Sequence, residues 1–497
     1  MRPILCVTLG VVFIAAATAA PAGESHPYDL SAVDALLAAE ASSLSGHYAI
    51  IVRQDGTEIY RTQLGDIGFD TKLGMASLTK TVSAAVVLQS VDVGTLAIDD
   101  TLGSLLPAFA AQGLGAPSVA DCFGMRHGIT APASYELLPL TLAQSALAIA
   151  ANGTQSFTPG TALQYDGNGM QVVGFACQSI AGMPWEALAI ERVLAPCGMR
   201  NTDYQQFAPN PAIAGGLRSS CTEIDRFGSM VMAGGRAGRR TVLSTAAIDR
   251  LFTNATDGLP VVSAPFPESH PLYPYGQPPD YGFGAWVIAH NPVTDEVEEI
   301  LGAGFWGSSL WLDRRRGISA TFITDVQGFS EYAIDAALGL EEIVRNEVEA
   351  HQAKGLLTTV DDGMDELLWI PAAGSTATRV YALDEPIRDL FDLRQAVVVG
   401  EAVGGSASVA PLWPVTHYAV VAIFDGFENP AIVPGVNTRP GNAHCVEDLD
   451  GNGIVGQVDL VLLLGAWSTP GPGDVDRSGQ VDAVDLAVLL AAWGPCG

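Results

Sequence analysis

Residues 448–467, DLDGNGIVGQVDLVLLLGAW, recur 26 positions later as DVDRSGQVDAVDLAVLLAAW, so that Asp448 pairs with Asp474 and Trp467 with Trp493. Self-similarity of this kind restricts the end of the chain to two copies of one supersecondary unit packed on each other. Each copy opens with oxygen-bearing side chains at alternate positions and a glycine at the sixth, the spacing of a loop of about 12 residues that wraps a calcium ion. The first loop offers Asp448, Asp450, Asn452, the Ile454 carbonyl and Asp459, with Gly453 at the sharp turn; the second offers Asp474, Asp476, Ser478, the Gln480 carbonyl and Asp485, with Gly479. An apolar helix follows each loop. So many carboxylates in so short a stretch repel one another unless a cation sits among them, which predicts a structural calcium ion in each loop.

The rest of the 497 residues is long enough for several domains, and 48% hydrophobic with 16% charged residues is ample for buried cores. A formal charge of -30, from 54 acidic against 24 basic side chains, repels a polyanion and argues against nucleic-acid binding. Arg2, an apolar run from Ile4 to Ala16 and small residues at Ala17 and Ala19 read as a signal peptide over 1–20, predicting a secreted protein, extracellular or periplasmic. No later apolar run is long enough to span a bilayer. Beyond Cys6 six cysteines remain, an even number compatible with disulfides; the pairing among Cys122, Cys177, Cys197 and Cys221 stays open.

Amphipathic helix periodicity over 31–44 is followed by two β-rich runs around Asp55-Gly56, a hairpin signal. Helical periodicity runs from Ala76 to Val93 with Gly94 as its stop. The segments YGFGAWVIAH, SSLWLDRRRG and ISATFITD read as late strands of an antiparallel sheet, with DRRRG, 313–317, as a solvated turn, and a helix near 332–352 closes a first domain, 27–352. Strand-like runs separated by Gly, Pro and Ser make 355–441 a small β-rich module with its linker, before the repeat module at 445–497.

Within the helix after Ala76, Ser77 and Lys80 stand three apart and share a face. A serine hydroxyl becomes a nucleophile only beside a group that takes its proton, and an amine can do so where an arginine cannot. The chain holds three lysines, Lys72, Lys80 and Lys354, against 21 arginines, so an amine at 80 is notable. The same pair also fits a capping serine followed by a solvated lysine.

The stretch FDTKLGMASLTKTVSAAVVLQSVDVGTLAIDDTLGSLLPAF resembles the active-site helix of the serine β-lactamase and penicillin-binding-protein family, in its class C, esterase and D-aminopeptidase branch. QYDGNGMQVVGFACQSIAG, VLAPCGMRNTDY and GGLRSSCTEIDRFGSMVMAGGRAGRRTVLS resemble further landmarks of that family, in order. The resemblance implies an α+β fold, an antiparallel sheet flanked by helices with a helical subdomain. It implies Ser77 as acylated nucleophile, Lys80 and Tyr165 as shared base and acid, and the Ser77 and Phe305 N–H groups as oxyanion donors. Two departures accompany it. The Y-x-N motif reads Tyr165-Asp166-Gly167 with Asn168 one place later, which leaves the asparagine's substrate contact open. The K-T-G motif falls at Gly302-Ala303-Gly304 and lacks a basic residue. In relatives that residue helps to hold a substrate carboxylate, so its absence points to a neutral ester or an unusual amide as substrate. Phe305, Trp306 and Trp311 read as sheet packing rather than as a substrate platform.

Aspartate at the twelfth loop position and the short spacing make the repeat resemble dockerin modules, all-α calcium-binding units that attach their proteins to cohesin-like partners or to surfaces. Cys445 and Cys496 bracket this module and are expected to form a disulfide. The expected function is that of an exported serine hydrolase docked through its C-terminus. The alternatives are a non-catalytic binder of the same fold, or a D-amino-acid peptidase or β-lactamase.

Overall fold

The computed structural model describes residues 26–266, 280–291, 295–326, 331–361, 364–413, 415–441, 454–468 and 480–495. The signal segment lies outside them. So do Asp448, Asp450, Asn452, Asp474, Asp476, Ser478, Cys445 and Cys496.

Helix α1 (Ser31–Glu40) leads into strands β1 (Tyr48–Gln54) and β2 (Thr57–Leu64), joined by the expected turn with Asp55 at φ 45° and Gly56 at φ 84°. Both central residues in the left-handed region give the tight turn that matches strand twist. Helices α2 (Thr79–Asp92), α3 (Asn168–Ala181) and α4 (Cys221–Met232) follow, with the helical subdomain between α2 and α4. The chain then returns as β3 (Trp286–His290), β4 (Val297–Ala303), β5 (Ser309–Asp313) and β6 (Ile318–Ile323), and helix α5 (Glu331–Ala350) closes the unit. One six-stranded antiparallel sheet results, in the order β3-β4-β5-β6-β1-β2, with Ala49 opposite Ile323. The fold is α+β, as expected. Strands β4, β5 and β6 are buried along their whole length: α4 packs on β5 and β6, α2 on β4, and α5, itself packed against α1, on β5.

Past α5 the chain forms β7 (Lys354–Asp361), β8 (Met364–Ile370), β9 (Ala377–Leu383), β10 (Val397–Ala402), β11 (Ser406–Val409) and β12 (His417–Phe424). They make a three-stranded sheet, β7-β8-β11, and a five-stranded one centred on β9 and β12. Period-two alternation along β12 sends its side chains to two different cores. Tyr418 and Val420 pack with Leu356, Leu367 and Trp369, whereas Ala419 and Val421 join the core of the first unit.

That second packing overturns the reading of DRRRG as a solvated turn. Asp313 and Arg316 are buried; Arg316 pairs with Asp313 at 2.7 Å and with Glu299 at 2.9 Å, and the Leu390 and Ile432 N–H groups donate to the Arg314 and Arg315 carbonyls. The β-rich region lies over this turn, and polar groups sealed there must find partners inside the protein. Cys122, Cys177, Cys197 and Cys221 are buried free thiols, so no disulfide links them; burial pushes Cys177 and Cys197 up to about 12.

In the repeat module, helices α6 (Gln457–Gly465) and α7 (Ala483–Ala491) occupy equivalent places, and Val455, Leu463, Val481 and Leu489 form the core. Two-residue strands, Ile454–Val455 and Gly494–Pro495, pair antiparallel and bring the start of the first unit beside the end of the second. Asp459 and Asp485 are fully buried, each accepting at 2.7 Å from a backbone N–H three residues earlier, Gly456 and Asp482. The Gln480 side-chain amide donates to the Ser468 carbonyl at 3.0 Å.

Candidate active site

Ser77 lies in a tight turn, Ala76–Leu78, that runs directly into α2. Ala76 takes φ 43°, a conformation unfavourable for a residue with a Cβ, and the surroundings hold it there. On one side Met75 N–H donates to the Leu217 carbonyl at 2.8 Å and Leu217 N–H to Thr79 Oγ1 at 3.1 Å. On the other, the end of β4 presses against the turn: a Cβ at Gly304 would stand 2.5 Å from the Met75 carbonyl oxygen, and one at Gly302 would stand 2.6 Å from Thr81 Oγ1. Glycine is required at Gly304, where the neighbour is backbone; at Gly302 the neighbours are side-chain ends.

Helix α2 is buried on nearly all sides, so its polar residues are matched individually. Thr81 donates to the Gly284 carbonyl and Ser83 to the Ile213 carbonyl. Lys80, 5% exposed, is no solvated lysine: its Nζ lies 2.8 Å from Ser77 Oγ and 2.9 Å from the Ala214 carbonyl oxygen. The loop bearing Ala214 is pinned by Gln171 of α3, whose carbonyl accepts from Ile213 N–H at 3.0 Å and whose amide donates to Asn210 at 2.7 Å.

Tyr165 meets this pair. Lys80 Nζ stands 4.7 Å from its ring centroid. The ring stacks on Trp286, centroids 5.0 Å apart at 13°, with Tyr281 edge-on at 5.7 Å. Ser77, Lys80 and Tyr165 line one cavity of 470 Å³ together with Glu136, Leu137, Asp166, Gly167, Phe207, Ala214, Gly215, Phe305 and Trp306. That volume suits a small-molecule site.

Three expectations need correction. Asn168 is 4% exposed at the start of α3 and does not line the cavity; Asp166 accepts its backbone N–H at 2.6 Å and its side-chain amide at 3.1 Å, turning it inward. Gly304 serves the close packing of β4 rather than the cavity wall. Phe305, 48% exposed, and Trp306 belong to the cavity, whereas Trp311 is sheet packing, its indole N–H donating to Glu299 at 3.0 Å.

Sequence reasoning missed Glu136. It comes from an irregular loop, 131–140, without periodicity to mark it, and lies over Gly167, where a Cβ would stand 3.0 Å from Glu136 Cγ. Its Oε2 atom is buried without a hydrogen-bond partner among the described residues. Burial, opposed by a hydrogen bond from its own backbone N–H and by Lys80 and reinforced by the negative Asp166, raises its carboxyl to about 7. Next to Asp166, His127 is fully buried, which lowers its pKa; its Nε2 is 3.8 Å from Asp166.

The family model for beta-lactamase matches residues 45–344, well over half of the chain and every element of this site. The chain belongs to the beta-lactamase family. A solved structure of a protein assigned as a beta-lactamase from Bacteroides dorei DSM 17855 is 26% identical, with a TM-score of 0.57 over 65% of this chain and 99% of that one. EstCE1, a hydrolase with promiscuous acyltransferase activity, shares the fold at 16% identity and TM-score 0.53, over 63% of this chain and 98% of that one. So does a protein assigned as a 6-aminohexanoate-dimer hydrolase from Bacillus anthracis, at 14% and 0.51, over 64% and 82%. No curated protein matches the chain.

Proposed function

We propose that this beta-lactamase-family serine hydrolase is exported, forms an acyl-enzyme on Ser77, and cleaves an ester or amide without a carboxylate beside the scissile bond. The observation that carries the reading is the Lys80 amine at 2.8 Å from the Ser77 hydroxyl in a cavity that Tyr165 also lines. An uncharged Lys80, or Tyr165 beside it, takes the hydroxyl proton as Oγ attacks the carbonyl carbon. The oxygen that becomes negative is met by the Ser77 and Phe305 N–H groups. Each such donor is worth about 3 kcal/mol of barrier. The proton then passes to the leaving group, and water completes the cycle by the same route in reverse.

Substrate choice follows from charge. Lys80 is the one basic side chain among those lining the cavity, and it is committed to Ser77 and Ala214; Gly302 stands where the family places a basic side chain. Esters fit this lining better than penicillins or D-alanine peptides, whose carboxylates would meet Glu136 and Asp166. The inturned Asn168 is the observation that favours a non-catalytic binder instead. The C-terminal repeat would bind calcium through its two acidic loops and attach the enzyme to a cohesin-like protein partner; the buried, repeat-equivalent Asp459 and Asp485 support that reading.

Intact-mass measurement after a fluorophosphonate, an activated ester and a penicillin, on wild type and Ser77→Ala, tests it. The expected result is an adduct from the first two, lost in the variant, and none from penicillin. No adduct from any probe would favour the binder.

A further inference from the structure

Two carboxylates line the cavity, and they are not equivalent. Asp166 is occupied, both oxygens accepting from Asn168. Glu136 keeps a buried acceptor oxygen unpartnered, beside the residue, Gly167, at which the family's motif has its asparagine. The charged groups facing Glu136 are Asp166 and Lys80; its own loop, 131–140, and the opposite loop, 207–217, hold no other charged residue. Lys80 already has two oxygen partners and does not close an ion pair with it. A desolvated carboxylate without an ion-pair partner is unfavourable: below about pH 7 a proton relieves it, and above that a cation carried by a ligand would. Aromatic side chains lining the same cavity, Phe207, Phe305 and Trp306, are compatible with a cation as well.

We propose that Glu136 is the specificity residue of this cavity, receiving a positively charged group of the substrate, so that esters or amides bearing an ammonium are the preferred substrate class. The inference rests on the serine-hydrolase reading. Glu136 acts on selection, while Ser77, Lys80 and Tyr165 act on the bond.

Two pairs of isosteric esters test it. One pair is the p-nitrophenyl ester of trimethylammoniobutyrate and its carbon analogue with a tert-butyl group in place of the cation. The other is acetylcholine and its tert-butyl analogue, which puts the cation in the leaving group. Within a pair, the ratio of kcat/KM cancels the pH dependence of the bond-breaking step, which both esters share. At about pH 8.5 wild type should favour the cation by about tenfold or more in at least one pair, the scale of a charge-assisted contact. At about pH 5.5, with Glu136 protonated, the ratio should fall towards one. Glu136→Gln should hold it near one at both pH values, while its thermal melt shows a folded chain. A ratio near one in wild type for both pairs, or a preference that survives in Glu136→Gln, overturns the proposal and leaves the hydrolase reading intact. Absence of a fluorophosphonate adduct on Ser77 together with no turnover of any ester overturns both.

Discussion

Gly304→Ala is the most informative single-methyl perturbation of the nucleophile turn. A Cβ there would lie 2.5 Å from the Met75 carbonyl oxygen and 3.1 Å from the Ser308 carbonyl oxygen, both backbone atoms, whereas ordinary contact begins near 3.4 Å. Relief therefore requires β4 and the Met75–Ser77 turn to separate by about 1 Å, and overpacking of this kind costs about 1–3 kcal/mol of stability. That shift moves Ser77 relative to the Phe305 N–H, and a misplacement of about 1 Å costs on the order of 100-fold in rate. Gly302→Ala meets the ends of two side chains, Thr81 and Leu78, which can give way. Its expected loss is smaller, about tenfold. Gly400→Ala adds a methyl with nothing within 4 Å and is the control. Steady-state hydrolysis of p-nitrophenyl acetate, run well below each variant's melting temperature, gives the three values of kcat. Activity of Gly304→Ala within about twofold of wild type, or a larger loss in Gly302→Ala than in Gly304→Ala, would refute the close-approach argument.

Calcium should raise the unfolding temperature of the C-terminal module in the full chain; at 100 times its Kd an ion adds about 3 kcal/mol, and equal calorimetric midpoints with calcium and with chelator would contradict bound calcium. Glu136→Gln should change how stability depends on pH. Because burial raises the folded-state carboxyl from 4.5 to about 7, protonation of Glu136 stabilises the fold fully below about pH 4.5, and that contribution is gone above about pH 7. The neutral glutamine should therefore gain up to about 3 kcal/mol over wild type between about pH 4.5 and about pH 8, read from urea melts; a difference independent of pH would refute the shift. Native protein should leave Cys122, Cys177, Cys197 and Cys221 unreactive towards a thiol reagent, all four reacting on unfolding without reductant. Recovery of fewer than four thiols would show a bridge among them.

The local parts of this account were legible in the sequence. Asp55-Gly56 dictates its turn, the run of helix-compatible residues from Ala76 to the stop at Gly94 dictates α2, and a spacing of three dictates the meeting of Ser77 with Lys80, because each depends on neighbours in the chain. Tyr165 could be placed only by resemblance, since no spacing rule links it to a residue 85 positions earlier. Asn168 was ambiguous for a different reason: Asp166, two residues earlier, accepts both its backbone N–H and its side-chain amide. What stayed hidden depends on which surface covers which. DRRRG has the composition of an exposed turn until the β-rich region lies on it, and the alternation of β12 announces two faces without naming their partners. Glu136 gave no signal at all. It matters only because a loop without periodicity carries it across Gly167, a position where the glycine leaves room.

Hydrolysis by this route turns on a covalent intermediate on Ser77 that Lys80 makes possible. Rapid mixing of the protein with excess p-nitrophenyl acetate, followed by peptide mass analysis of acid-quenched samples, tests it most directly. The account predicts a burst of about one nitrophenol per chain with acetate on the peptide containing Ser77, and on the order of 100-fold slower acetylation in Lys80→Met. A linear time course with no acetylated Ser77, or a burst of wild-type rate in Lys80→Met, would contradict it.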